Sequence, residues 1–540
     1  MPTRLLAALC FLLPSLALAA DARCQGSPKA RAARFSAQAL KGKQPAERYA
    51  EYVRACSLDA VVELTKSLVR FKTVSSELPA AKSPEIAAMG RFLEQWARAR
   101  GLGFRAVGEN DVFELSWGEG EPRLGLVFHG DVVPAPAHEW KKPPFEPSVA
   151  QGRLYGRGVE DDKGPLASTL VALAMAKELG LSPAQGRVLV IIGNGEESDW
   201  SGMVKYAETQ KPHPVHVISV DSDFPVVAAQ GGFVAWALRA ELGAPPAQPT
   251  PGQLRAVDVT AGEFLTQVPG AATVKLEPAG LAPDKALATV REAVAAVRTA
   301  RPSLQAEVKQ EGTRIVLTTQ GKAVHASVAE EGANALWDLA AVAARLPLEP
   351  NGIQALLRVV AERFDGDHWG EKLGVAYQDA LMGRLLVAPT VLRVKDGTVS
   401  LDINMRRPQG RDNAAFHASL DEAAARLERD SGGRVKEVKG GEGGRYVGDP
   451  HVADTSGPLV TTLLDIYKRH RDEPDAKPQS VRGGTYARLF PRAVDFGPAF
   501  PGDLYTGHAP DESISLENLD ATTRMVAEAL HTLALTPPAK

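Results

Sequence analysis

The sequence predicts an α/β fold, and three observations carry that prediction. Short apolar runs at Val112–Trp117, Leu124–Phe128, Val188–Ile192 and Val215–Val220 have the length and β-branched content of buried strands. Helical periodicity separates them, as in Leu166–Leu179, so strands alternate with helices and a mostly parallel sheet covered on both faces is the economical arrangement. After about residue 232 the texture changes: strand-like runs at Val257–Thr260, Arg314–Thr319 and Val399–Met405 enclose helical stretches at Lys285–Ala300 and Ala333–Arg345. That pattern predicts a second, α+β domain.

In chain order, Arg4 precedes an apolar run from Leu5 to Leu18, then Ala17-Leu18-Ala19 and the polar Asp21, Arg23 and Gln25. This reads as a secretory signal over 1–20, because the run is shorter than the roughly 20 residues that a membrane-crossing helix needs. An extension over 21–45 follows. Of the three cysteines, Cys10 leaves with the signal; Cys24 and Cys56 either pair in an oxidising compartment or stand as two unrelated thiols. A helical pattern fills Ala46–Leu68, and Ser83, Pro84 and Gly101 mark the cap, first turn and end of another helix. Pro/Gly/Ala-rich stretches at Gly243–Gly252 and Gly440–Gly444 punctuate the second domain. A helix at Leu459–Arg469, a strand near Ala493–Phe496 and a helix from Ser515 then return the chain to the first. The expected domains are 46–232 with 450–540, interrupted by 233–449.

Composition narrows the function. The 540 residues are 44% apolar and 24% charged, as in ordinary globular proteins. Lys and Arg number 62 against 65 Asp and Glu, a net charge of −3, so no basic field exists to hold nucleic acid or an anionic membrane.

Five polar clusters stand at the ends of predicted elements, where open α/β sheets build their sites. His129-Gly130-Asp131 follows the strand ending at Phe128 and offers an imidazole with a carboxylate two residues on. Gly156-Arg157-Gly158-Val159-Glu160-Asp161-Asp162-Lys163-Gly164-Pro165 brings an acidic pair to the start of a helix, a place ordinary capping also uses. Gly193-Asn194-Gly195-Glu196-Glu197-Ser198 sets adjacent acids after a buried strand, where they repel unless a cation or proton intervenes. Asp221-Ser222-Asp223-Phe224-Pro225 ends another strand, and Gly507-His508-Ala509-Pro510-Asp511-Glu512 precedes the last helix. Two imidazoles and several carboxylates form a hard nitrogen and oxygen donor set, which points to a catalytic zinc-type site rather than a thiolate cage.

Read together, HGDVVP, GRGVEDDKGP, GNGEES, DSDFP and GHAPDE resemble the motif series of the M20 metallopeptidases, and within them the peptidase V-like dipeptidase branch, over about residues 50 to 535. The resemblance implies a zinc-peptidase-like mixed sheet covered by helices, with an inserted α+β lid domain over 233–449. It implies two zinc ions per subunit, with manganese or cobalt as substitutes: His129, Asp161 and Asp221 at one, Glu197 and His508 at the other, and Asp161 bridging. It further implies Glu196 as general base, Asp131 as the carboxylate orienting the histidine, and a cis peptide after Asp161. In the inserted domain, Gly321-Lys322-Ala323-Val324-His325-Ala326-Ser327 resembles the lid motif whose histidine, His325, steadies the oxyanion. Asn404-Met405-Arg406-Arg407-Pro408 resembles the segment whose arginine, Arg406 rather than Arg407, grips a substrate carboxylate. Gly483-Gly484-Thr485-Tyr486 resembles the substrate loop, with Gly484 and Thr485 against the ligand.

The resemblance implies hydrolysis of dipeptides, and the long insert over about 233–449 favours a monomer. The signal with its extension to about residue 50 points to a periplasmic or secreted enzyme, a departure from a branch typified by cytoplasmic members, and the net charge leaves no nucleic-acid partner and no membrane partner once the signal is cleaved. Two rivals are a deacylase of N-acyl amino acids or a carboxypeptidase of the same family, and a non-catalytic binding module on a peptidase scaffold. Ala329 stands where the lid motif has proline, and Thr266-Gln267-Val268-Pro269 where this branch carries an asparagine; both bear on side-chain selectivity. His138, His213, His216, His368, His417, His451, His470 and His531 have no motif context and read as structural or surface residues.

Overall fold

The computed structural model describes residues 24–27, 30–31, 44–184, 186–248, 250–440 and 443–535, so the expected signal over 1–20 and Cys10 lie outside the described residues. The chain divides into two units, 1–226 with 461–476 and 495–540, and 227–460 with 477–494. After 450, where a return to the first unit was expected, residues 461–476 and 495–540 group with the first unit and 451–460 and 477–494 with the second. The reason is local pairing. His451–Val452 runs antiparallel and Gln479–Val481 parallel to Val227–Gln230, and the Arg488 guanidinium donates to the carbonyls of Gly231 and Asp449.

The first unit opens with two helices, α1 (Pro45–Cys56) and α2 (Leu58–Val69), where one continuous helix was expected. Ser57 separates them, although its N–H still reaches Val53 O and its carbonyl still accepts from Val61 N. Helix α3 (Pro84–Arg98) starts as its sequence demands: Pro84 fills the first turn, Ser83 Oγ accepts from Ile86 N at 3.2 Å, and Ile86, Met89, Leu93 and Ala97 form the buried stripe.

The sheet follows as β1 (Gly103–Val107), β2 (Val112–Trp117) and β3 (Pro122–His129), then β4 (Arg187–Gly193) and β5 (His216–Ser219). These five strands are ordered β1-β2-β4-β3-β5 within it. The β3 strand runs parallel to β4 and β5, while β1/β2 and β2/β4 are antiparallel. The sheet is therefore mixed, as the family resemblance implied, and not mostly parallel, as the alternation of strands and helices suggested. A short turn through Glu109 and Asn110, both at positive φ, folds β1 back on β2 as a hairpin, a connection open only to antiparallel strands.

Between β3 and β4 runs α4 (Lys163–Glu178), apolar around most of its circumference and buried along most of its length. Its start needs glycine at 164, because a Cβ there would lie 2.1 Å from Val159 O. The C-terminal helix Leu516–Leu530, capped by Ser515 Oγ on Asn518 N, packs against α1 and α4.

Cys24 and Cys56 form a disulfide with Cα atoms 5.3 Å apart, which ties the N-terminal extension to the end of α1. Closing a loop with a sequence separation of 32 stabilises the fold by roughly 3–4 kcal/mol through lost unfolded-chain entropy. Cys24→Ser is expected to lower the thermal unfolding temperature, and mapping under non-reducing conditions to recover both cysteines of the unaltered protein in one linked peptide. Two titratable thiols at these positions would contradict it.

The second unit is built on an antiparallel sheet: β6 (Gly232–Glu241), β7 (Gln253–Ala261), β8 (Ala271–Ala279), β9 (Gln305–Glu311), β10 (Arg314–Gln320), β11 (Leu386–Lys395) and β12 (Thr398–Arg407). Their order is β9-β10-β8-β7-β11-β12-β6. Helices Pro283–Ala300, Ala335–Ala343, Gly352–Arg363 and Asn413–Asp430 bury their apolar stripes with that sheet in one core around Trp236, Leu276, Leu317 and Leu356. The alternating burial along β6, β8 and β12 is the period of a sheet packed on one face. Among the described residues, no helix is long and apolar enough to cross a membrane.

Candidate active site

Four of the five clusters leave the carboxyl ends of β3, β4 and β5 or the start of α4, and the chain's last loop supplies the fifth. His129 ends β3 and is buried. Its Nε2 lies 2.7 Å from Asp161 Oδ1 and 3.6 Å from Asp221 Oδ1. His508 approaches from the other side: its Nε2 lies 2.7 Å from Glu197 Oε1 and 3.1 Å from Asp161 Oδ2. One carboxylate, that of Asp161, thus stands between two imidazoles that belong to remote parts of the chain. Ligand atoms of His129, Asp161 and Glu197 fall within 4.8 Å of one another, and so do those of His129, Asp162 and Asp221. The Asp161–Asp162 peptide is cis, as the resemblance implied.

Crowded carboxylates in this cluster repel one another, a repulsion that a bound cation or a proton relieves. Burial and the charges of Asp221 and Glu197 push the Glu196 carboxyl well above its usual range, and burial with the charge of Asp221 does the same to Asp162. Burial opposes charging of His508, yet its hydrogen bonds to Asp161 and Glu197 hold the imidazole up at about 11. Asp162 Oδ2 accepts from His129 N at 3.1 Å, while its Oδ1 is buried without a partner. An orphaned buried carboxylate oxygen within an imidazole and carboxylate set fits divalent-metal coordination, and oxygen with nitrogen donors suits zinc, manganese or cobalt.

Asp131 contacts His129, as expected, and has a second role. The nearer contact to His129 Nδ1 is the backbone carbonyl of Asp131 at 3.0 Å, with carboxylate Oδ1 at 3.6 Å. The carboxylate also accepts from Glu196 N and Glu197 N, both at 3.1 Å, and from Ser75 Oγ at 2.6 Å. It therefore fixes the backbone that carries the two glutamates. Tetherless by comparison, the Glu196 carboxylate accepts no hydrogen bond from a described residue.

Sequence reasoning missed Glu512, which plays the matching part for the Asp161 loop. It is fully buried; Oε2 accepts from Arg157 Nη1 at 2.7 Å and Gly158 N at 2.9 Å, and Oε1 from Glu160 N at 2.9 Å and Asp161 N at 3.2 Å. In return, Glu160 Oε2 accepts from Thr506 N and Oγ1, both at 2.7 Å. These contacts strap the Asp161 loop to the His508 loop. The signal lay in the acidic end of GHAPDE, but no local pattern says which distant amides it meets. Because each oxygen takes two donors, Glu512→Gln would set an amide N–H against N–H groups. That variant is expected to weaken metal binding by about 10–100-fold, read by competition with a chromophoric chelator.

The remaining candidates lie in the second unit. His325 precedes a short 3-10 helix, and its Nδ1 accepts from Ser327 N at 3.3 Å with Ser327 Oγ at 2.6 Å, which places the proton of the neutral ring on Nε2. Thr266 O accepts from Ala326 N at 2.7 Å, so the departure from the branch pattern at 266–269 borders this histidine. Arg406 is buried at the end of β12, over the Phe233 ring at 5.0 Å, with Nε on Asn404 Oδ1 at 3.1 Å and Nη1 on Arg482 O at 3.4 Å. Among the described residues no carboxylate pairs with it. Arg407, in contrast, donates to Asn413 Oδ1 and Arg411 O. Thr485 holds its loop in place: its N–H donates to Gln230 Oε1 at 3.1 Å and its Oγ1 accepts from Gln230 Nε2 at 2.9 Å. Gly484 lies against the Arg488 guanidinium, where a Cβ would stand 2.6 Å from Nη1.

The profile of peptidase family M20/M25/M40 matches residues 125–532. YtjP of Bacillus subtilis (strain 168), provisionally named a dipeptidase, is 32% identical over 423 residues, 78% of this chain and 85% of that one. The Beta-Ala-Xaa dipeptidase of Lactobacillus delbrueckii subsp. lactis is 29% identical over 475 residues, 86% of this chain and 92% of its own length. Human carnosine dipeptidase 1 superposes with a TM-score of 0.52 at 14% identity, over 90% of this chain and 98% of that one, a likeness of fold.

Proposed function

The chain belongs to the M20 peptidase family, and from that premise we propose that it is an exported di-zinc dipeptidase. The observation that carries the reading is the Asp161 carboxylate set between the Nε2 atoms of His129 and His508, 2.7 and 3.1 Å away. His129 with Asp161 and Asp221, and Glu197 with His508 and Asp161, would hold the two ions. Bound there, divalent cations would polarise the scissile carbonyl and acidify an attacking water.

The protein's own groups supply the rest. Glu196, with its raised carboxyl pKa and no donor to its carboxylate among the described residues, takes the attacking water's proton and passes it to the leaving amine. His325, protonated on Nε2, donates to the developing oxyanion. Arg406 recognises the substrate's C-terminal carboxylate, which a guanidinium can grip through two parallel hydrogen bonds. The relative named a Beta-Ala-Xaa dipeptidase supports dipeptides over acylated amino acids as substrates. Export is supported by the apolar N-terminal run and by the Cys24–Cys56 disulfide.

The test is one panel: free, N-acetylated and C-amidated dipeptides, assayed after chelation and after restoring zinc, manganese or cobalt. Free dipeptides are expected to be cleaved fastest, and only with metal restored. Faster cleavage of N-acetyl amino acids would make the protein a deacylase, and absence of metal-dependent turnover would overturn the enzymatic reading.

A further inference from the structure

Tyr505 belongs to none of the clusters above, yet its phenol enters the centre of the site. Its Oη donates to Asp161 Oδ2 at 2.5 Å, the oxygen that His508 Nε2 approaches at 3.1 Å. The other oxygen, Oδ1, faces His129 Nε2 at 2.7 Å. The carboxylate shared by the two imidazoles is thus held on its outer oxygen by a third group, through a hydrogen bond to an ionised acceptor, the stronger kind.

Two further observations show that this placement is built. Gly507 makes room for the ring: a Cβ at 507 would lie 2.1 Å from the phenol oxygen and 2.2 Å from Cζ. Gly507 is not among the positive-φ glycines, so backbone conformation does not require glycine there, whereas the aromatic ring does. Tyr505 is also 49% exposed and follows Leu504 at 81%, so burial of apolar surface does not explain where the ring sits. What fixes it is its hydroxyl end.

We infer that Tyr505 is a positioning residue of the metal centre, which holds the Asp161 carboxylate in the orientation that presents it to two cations, with Gly507 as the space that admits its ring. The inference rests on the metal reading given above. Partners of this kind, which orient a ligand rather than bind the ion, typically account for 10–100-fold in metal affinity or activity.

The test strips the full-length protein with a chelator and titrates Zn²⁺ or Mn²⁺ against a chromophoric competitor, beside kcat and KM for a free dipeptide. Tyr505→Phe is expected to weaken metal binding and to lower kcat by about tenfold each, with KM and the unfolding temperature of the metal-free protein unchanged. Gly507→Ala is expected to reproduce the metal defect although the tyrosine remains. Added to Tyr505→Ala, the same glycine change is expected to cost nothing more, because the ring that it would strike is gone. Metal binding in Tyr505→Phe as tight as in the unaltered protein, or tighter, overturns the inference. Failure of the unaltered protein to bind either ion would instead overturn the metal reading beneath it.

Discussion

Glu196→Ala is expected to lower kcat by about 10²–10⁴-fold while zinc stays bound. The two halves of that expectation come from different atoms. The groups that face the imidazoles are Asp161, Asp221 and Glu197, so removing the Glu196 side chain takes away no ligand. The Glu196 backbone keeps its place, because its N–H donates to Asp131 Oδ1 and its carbonyl accepts from Trp200 Nε1 at 2.7 Å. Removing one negative charge from the cluster lowers its attraction for a dication, but every proposed ligand remains, so zinc is expected to stay bound with only modestly weaker affinity. Metal content after dialysis and single-substrate kinetics measure both halves. Near-normal turnover in this variant would take Glu196 out of the base role, and loss of metal would mean that it is a ligand.

What the sequence disclosed and what it withheld divide along a physical line. Elements whose cause is local were readable: Val112–Trp117 is the observed strand to the residue, and Ser83-Pro84 starts a helix by capping rules that operate within one turn. The β1 strand went unread because Gly103–Val107 is mostly exposed and lacks an apolar run; without it the antiparallel hairpin disappeared, and the sheet read as mostly parallel. In the site, the residues with motif spacing were readable one by one. The straps were not, because Glu512 meets amides 352 positions away and Tyr505 meets a carboxylate 344 positions away. Nothing near either residue in the chain encodes that meeting. The Asp131 carboxylate was read for its neighbour His129, and its hold on Glu196 and Glu197, 65 and 66 positions on, was not. Motif chemistry is local, whereas its support is assembled by the fold.

Arg406→Ala is expected to lower kcat/KM for free dipeptides by about 10²–10³-fold, mainly through KM, and to abolish discrimination against C-amidated dipeptides. A buried guanidinium ordinarily has a carboxylate beside it, because an unpaired buried charge is costly. Arg406 has none among the described residues, and burial together with the nearby Arg488 charge pulls its pKa down to about 10. Its local acceptors are the Asn404 side chain and one carbonyl, which leaves the positive charge to be met by an anion that arrives from outside. This separates a recognition role from a structural one. Were Arg406 part of the scaffold, its removal would destabilise the second unit; as an unpaired buried charge, its loss is expected to leave the unfolding temperature unchanged or higher. Arg406→Lys keeps the charge without the two-pronged geometry and is expected to recover only part of the affinity. Retained discrimination between free and amidated dipeptides in Arg406→Ala would place carboxylate recognition elsewhere.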